Sequence, residues 1–260
     1  MDSRTHLDLC SGIGGFHLAA EWAGFRTVGF SEIEPYCCKL LAEKWPEIKN
    51  YGDLRRADFS GLRGRITVLS AGVPCQPSSV AGKRRGAGDD RWLWEAVLDV
   101  VGCVEPAWAI FENPDGILTL GEFDGVLLRL GALGYEVRAF SVPANAVGAK
   151  HRRQRVFIVA NRNEQRLEGT ESLRNSGVCD PNAANSNGAG LQEWIREDAG
   201  RTRSDGRTDV IRDFPWLTEP PLCRAADGVR NRSHRLKALG NSVVPQQAYP
   251  FFEAIAQVEV

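Results

Sequence analysis

The chain has 260 residues, with 32 Lys and Arg against 33 Asp and Glu and a net charge of -1. That length suits one main domain with a small appendage, and the balanced charge excludes a global attraction to nucleic acid, so such contacts must come from a local surface. No apolar stretch is long enough to cross a bilayer and none reads as a secretory signal; seven cysteines without a C-x-x-C pair fit reduced thiols in a cytoplasm, with no membrane and no metal site.

In chain order, an apolar strand around Leu7 runs into Cys10-Ser11-Gly12-Ile13-Gly14-Gly15. The spacing of Phe16, Leu18, Ala19, Ala20, Trp22 and Ala23 predicts a helix over 15–23, ended by Gly24. Glycines at such a joint let the backbone turn sharply and approach a ligand. A second strand, Thr27 to Ser31, ends at Glu32, where a carboxylate can accept hydrogen bonds from ribose hydroxyls. The spacing Gly12-x-Gly14-Gly15 departs from the dinucleotide pattern G-x-G-x-x-G. The turn and the acid together suggest a nucleoside site of the NAD or S-adenosylmethionine kind, against an ordinary strand–turn–helix joint. A helix over 35–44 follows, then a third short strand position before Asp53 and Leu54.

Ile66 to Ala71 reads as a buried strand whose C-terminal end opens into Gly72-Val73-Pro74-Cys75-Gln76-Pro77-Ser78. Cys75, after a proline in a small polar loop, is badly placed for packing and well placed to present its sulfur at the edge where open α/β sheets carry their chemistry. A buried free thiol is the commoner fate of a single cysteine. Lys83, Arg84 and Arg85 follow, either gripping phosphates or lining a solvated face. A helix over 91–103 precedes the strand Ala107 to Phe111, which ends in Glu112-Asn113-Pro114, a candidate acid beside the thiol loop. A helix over 122–132 leads to Tyr135–Val142 and Arg155–Ala160, which have no helix between them and are predicted to pair antiparallel. Strand alternation puts Arg153 and Arg155 on one face, two guanidiniums that either hold an anion or carboxylate between them or line a solvated edge.

From about Arg162 to Asp209 apolar residues are sparse, and only a small core can form. Arg224, Arg230, Arg232, Arg235 and Lys237, opposed by Asp227 alone, form a second basic stretch. Gly240-Asn241-Ser242 then precedes a C-terminal helix and offers backbone N–H groups to an anion. The alternation of strands and helices gives an α/β fold with a mostly parallel sheet.

Five strings, Asp8 to Phe16, Pro74-Cys75-Gln76, Glu112-Asn113, His151-x-Arg153-x-Arg155 and Gly240-Asn241-Ser242-Val243, resemble in order the motifs of the DNA (cytosine-5)-methyltransferases. The resemblance covers roughly 5–160 and 220–258. Each string is short, but five in family order, each at a predicted strand end or helix start, are specific. Ser78 stands where the family usually has Phe, Pro114 where it has Val, Cys10 where an aromatic is common and His151 where Gln is common.

The resemblance implies a Rossmann-like, S-adenosylmethionine-dependent methyltransferase fold with a small, irregular target-recognition region. Its divisions are a catalytic and cofactor-binding domain over 1–161, target recognition over 162–222 and a C-terminal segment over 223–260 that returns to the first. The implied reaction moves a methyl group from S-adenosylmethionine to carbon 5 of a flipped-out cytosine through a covalent Cys75 adduct. Glu112 then serves N3 and the exocyclic amine, Arg155 the base carbonyl oxygen, and Arg153 the thiol loop. The cofactor is expected at Cys10, Gly12, Ile13, Gly14, Gly15, Pro74, Asn241 and Ser242, with Glu32 at the ribose, Ile33 and Leu54 at the adenine, Asp53 near its amino group and Trp94 closing the outer side. Double-stranded DNA is expected on Lys83, Arg84, Arg85, Arg230 and Arg232. The setting implied is the cytoplasm of a bacterium or phage-infected host, as in restriction–modification. The protein acts either as a monomer or with a partner subunit for target recognition. The same chemistry on tRNA and a non-catalytic nucleoside or nucleic-acid binder remain alternatives. A dehydrogenase fits Gly12 to Glu32 but leaves Cys75, Glu112 and Arg155 unexplained.

Overall fold

The computed structural model describes residues 4–74, 93–119, 122–162 and 232–258. Strands β1 (Thr5–Leu9), β2 (Arg26–Ser31), β3 (Val68–Gly72), β4 (Trp108–Pro114), β5 (Tyr135–Val142) and β6 (Arg155–Arg162) form one sheet in the order β2-β1-β3-β4-β6-β5. Strands β1 to β4 run parallel, and β6 is antiparallel to both β4 and β5, as predicted for the last two strands. The helices are α1 (Gly15–Trp22), α2 (Pro35–Lys44), α3 (Trp94–Val104), α4 (Glu122–Ala132), α5 (Arg232–Asn241) and α6 (Pro245–Val258). The chain leaves β1 for β2 on one side and returns to β3 on the other. That reversal opens a crevice beyond the C-terminal ends of β1 and β3. The short strand expected before Asp53 is reduced to one parallel bridge, Phe30 with Asn50, because the chain turns away at Gly52 with φ +74.

Period-two alternation sorts the core onto two faces. Leu7, Leu9, Leu69, Ala71, Ala109, Phe111 and Ile158 join Trp94, Leu98 and Val101 of α3 and Leu130 of α4. The intervening Val68, Ile110 and Phe157 pack on the other face, where Phe16 and Ala20 of α1 meet Ala248, Phe252 and Ile255 of α6. Both faces of the sheet are covered, which is why its central strands read as continuous apolar runs. Burying each such Leu or Phe contributes about 1.5–3 kcal/mol.

The second face also buries a chain of polar groups that sequence patterning did not single out. His17 Nδ1 and His6 Nδ1 each lie 2.8 Å from Thr27 Oγ1, His6 Nε2 lies 2.8 Å from Ser70 Oγ, and Ser70 Oγ donates to Asp8 Oδ1 at 2.8 Å. Burial is tolerated because most of these atoms pair with one another, while Asp8 Oδ2 and His17 Nε2 are buried without a partner among the described residues. Burial also pushes Asp8 up to about 8 and His6 down to about 3, so both are mainly neutral near pH 7. Among the described residues no helix is long and apolar enough to cross a membrane, and no three His, Cys, Asp or Glu side chains cluster to hold a metal ion.

Candidate active site

The parallel strands deliver four C-terminal ends to one edge. After β1, Cys10, Gly12 and Gly14 adopt left-handed conformations, with φ of 50, 55 and 85. A Cβ on Gly15 would lie 2.4 Å from the Val243 carbonyl oxygen. The Gly-rich turn and the segment before α6 therefore touch backbone to backbone, which explains why glycine is required there and seats the C-terminal motif at the strand edge. Burial, with the Glu32 and Asp8 charges behind it, pushes the Cys10 thiol up to about 12. Burial likewise raises Cys37 to about 11. Neither sulfur is a thiolate near neutral pH.

Glu32 follows β2 and reaches back over the turn. Its Oε2 accepts from the Gly12 N–H at 2.6 Å, and its Oε1 accepts from Ile33 and Glu34 N–H at 2.8 and 2.7 Å. Ile33 beside it is 58% exposed, an apolar surface next to a fixed carboxylate. Asp53 accepts from Arg55 Nε and Nη2 at 2.9 and 2.8 Å, and that hydrogen bonding lowers its carboxyl below the usual range. Leu54 is buried in the core on the α3 side of the sheet. Asn50, unnoticed in the sequence, binds both sides of the Glu32 peptide.

Glu112 lies on β4 in register with Gly72 of β3. Its buried carboxyl pairs with Arg155, Oε1 to Nε at 2.8 Å. Burial pushes the carboxyl up to about 7, against the opposing pull of Arg155 and then Arg153. Asn113 Nδ2 donates to the Glu112 carbonyl at 2.7 Å and steadies the strand there. Past Gly72, Val73 is buried and Pro74 is exposed, so the chain leaves the sheet one strand away from Glu112. Cys75, Lys83, Arg84, Arg85 and Arg230 lie outside the described residues, and Arg232 opens α5.

Two expectations need correction. Arg153 does not share a strand face with Arg155, because β6 begins at Arg155 and Arg153 precedes it with φ 26. Its Nη2 donates to the Gly240 and Ser242 carbonyls at 2.9 and 2.7 Å, so among the described residues its hydrogen bonds organise the C-terminal turn around Asn241. Gln247, missed in the sequence, supports this arrangement by donating to the Val142 and Arg153 carbonyls at 2.7 and 3.3 Å. Ser242 turns its hydroxyl to the Leu239 carbonyl at 2.9 Å. Trp94 is wholly buried rather than at an outer edge, its ring centroid 5.3 Å from that of Phe111. The ring packs between α3 and β4, with its Nε1 buried without a hydrogen-bond partner among the described residues.

Residues 5–213 match the family described as C-5 cytosine-specific DNA methylase. The chain is 34% identical over 165 residues to the Type II methyltransferase M.NgoMIV of Neisseria gonorrhoeae, covering 62% of this chain and 52% of that protein. It is 29% identical over 254 residues to the Type II methyltransferase M.AplI of Arthrospira platensis, covering 88% of this chain and 69% of the relative. The crystal structure of S. pombe Dnmt2 methyltransferase is alike in fold, with a TM-score of 0.53 at 20% identity over 69% of this chain and 57% of that one. The chain spans about half the length of M.NgoMIV and 40% of M.Eco47II from Escherichia coli. The family match spans β1, the Gly-rich turn, Glu112 and Arg155, and the chain belongs to the C-5 cytosine-specific DNA methylase family.

Proposed function

We propose that the protein is an S-adenosylmethionine-dependent DNA cytosine C5-methyltransferase. The observation that carries this reading is Glu112, a buried carboxyl raised to about 7, paired with Arg155 and in register with the strand that leads to Cys75. The DNA substrate is supported by the family description. The donor site is supported by the edge itself. Glu32 stands beside the exposed apolar Ile33, and nothing lies within 4 Å of where a Gly12 Cβ would project. In this reading the turn from Cys10 to Gly15 faces the donor, Glu32 accepts from a ribose hydroxyl, and Ile33 covers the adenine. When bound, S-adenosylmethionine supplies an electrophilic methyl group.

Carbon 5 of cytosine is a poor nucleophile, so the chain's own groups must activate it. The Cys75 thiolate forms a bond to carbon 6, which moves ring electrons toward carbon 5 and N3. Glu112 meets the charge at N3 with its proton, and Arg155 holds the base carbonyl oxygen. Once carbon 5 carries the methyl group its proton leaves to solvent, the sulfur–carbon 6 bond breaks to restore the thiolate, and N3 returns its proton to Glu112. The target atom is stacked in duplex DNA, so the base must be flipped out. The segment over 162–222 and the basic residues after Cys75 are proposed to read and grip the duplex.

DNA carrying 5-fluorocytosine tests this chemistry, because fluorine cannot leave carbon 5 as a proton does. A covalent complex that survives denaturing electrophoresis is expected with S-adenosylmethionine and not without it. Cys75→Ala should abolish the complex while donor affinity stays as in the wild type. An adduct on RNA and never on DNA would reassign the substrate. No adduct on either, with donor shown to bind, would overturn catalysis.

A further inference from the structure

Beyond β2 the sheet ends abruptly, and a side chain takes over the role of a strand. The Phe30 N–H donates to the Lys49 carbonyl at 2.9 Å and the Tyr51 N–H to the Phe30 carbonyl at 2.8 Å, one rung of parallel pairing. Continued pairing would bring residues after Tyr51 alongside Glu32, but at Gly52 the backbone turns away with φ +74. The Asn50 side-chain amide fills the missing rung. Its Oδ1 accepts from the Glu32 N–H at 3.1 Å and the Gly52 N–H at 3.0 Å, and its Nδ2 donates to the Glu32 carbonyl at 3.1 Å and to Cys38 Sγ at 3.4 Å. The reverse amide orientation would set donors against two N–H groups, so these partners fix which atom is oxygen. The same Glu32 carbonyl also accepts from Cys38 Sγ at 3.1 Å.

We propose that Asn50 is a positioning residue for ribose recognition: by clamping both sides of the Glu32 peptide it holds the Glu32 carboxylate for a ribose hydroxyl. The inference rests on the proposed ribose role of Glu32. Three backbone N–H groups already occupy that carboxylate, from Gly12, Ile33 and Glu34. With about four acceptor positions on a carboxylate, little capacity is left, and its direction decides whether a hydroxyl can use it. Cys38 secures only the carbonyl side, and of the two side chains Asn50 alone binds the Glu32 N–H.

Calorimetric titration of the full chain with S-adenosylhomocysteine and its 2′-deoxy and 3′-deoxy counterparts tests this. The wild type should prefer the ribose form. Asn50→Ala should cut that preference about tenfold, with the deoxy forms binding nearly as before; tenfold corresponds to about 1.4 kcal/mol, a modest loss suited to a solvent-reached amide. Asn50→Asp covers the case in which the alanine variant fails to fold. It keeps the two acceptor contacts, loses the donor to the Glu32 carbonyl, and should shift the preference in the same direction. Equal weakening of all three ligands would mark a purely structural role and overturn the inference. Glu32→Gln separates the two claims. If it removes the ribose preference while both Asn50 variants keep it, Asn50 is not the positioning residue. If the preference survives Glu32→Gln, the ribose reading of Glu32 itself has failed.

Discussion

A carboxyl touching an arginine ordinarily ionises readily, and Glu112 does not, because burial outweighs its partner and lifts it to about 7. The direction matters for chemistry. In the proposed reaction a proton held at neutral pH is available to N3, and it is lost as pH rises through that value. Adduct formation on 5-fluorocytosine DNA at saturating donor should therefore decline above about 7 in the wild type. Glu112→Gln should be slower by about 100-fold, within the usual range for general acid catalysis, and flat over the same pH range. A wild-type profile indifferent to pH there would remove Glu112 as the proton source. At this scale the positions of Glu112 and Arg155 were legible, because one lies near the end of an apolar strand and the other opens one. Arg153 was misread: local alternation cannot reveal a residue with φ 26 that leaves the strand pattern.

Element by element, the strands and helices follow from apolar periodicity, and β1 shows its limit. Thr5, His6 and Asp8 are polar positions in a strand whose five residues are all buried. The neighbours Thr27 and Ser70, on β2 and β3, partner both nitrogens of His6 and one oxygen of Asp8 there. Burial shifts the two in opposite directions. His6 is lowered to about 3, so its contribution to stability is present above its ordinary value of 6.5 and lost as pH falls toward 3. Asp8 is raised to about 8, so its contribution is present below its ordinary value of 3.8 and lost as pH rises toward 8. Asp8→Asn removes the second effect alone. Relative to the wild type, the variant should gain about 1.4 kcal/mol of stability per pH unit across the interval between those two Asp8 values. Urea unfolding at several pH values in that interval measures the difference, and parallel stability curves would mean that Asp8 is ionised in the fold.

Over the whole molecule, the two ends of the described chain close on each other. Arg4 Nη2 donates to the Ala256 carbonyl at 3.0 Å. Phe252 of α6, fully buried, meets the rings of His6, Phe16 and Phe25 at centroid distances of 5.2, 6.2 and 5.7 Å. Phe252→Ala should cost about 3–5 kcal/mol, the usual loss for an aromatic in a packed core. It should also weaken S-adenosylhomocysteine binding, because α6 anchors the segment whose Val243 carbonyl rests against the Gly15 turn. Normal stability by urea unfolding would show that α6 is not part of the cooperative core.

The α/β pattern, the order of the motifs and the places of Glu112 and Arg155 at strand ends could be read from residue type and local period, since both act within a few positions along the chain. The roles proposed for Cys75, Glu112 and Arg155 come from the family resemblance. Long-range contact decided the rest. Asn50 is 18 residues from Glu32 and Arg153 is 87 from Gly240, and neither separation leaves a periodic trace. The Gly52 bend turns Asn50 from a strand residue into a clamp on Glu32, and the packing of α6 on α1 and of α5 on α2 gives Arg153 its carbonyls. A hydrogen bond needs its partner within about 3 Å, and which residues come that close is settled by packing across the sheet edge rather than by neighbours in sequence.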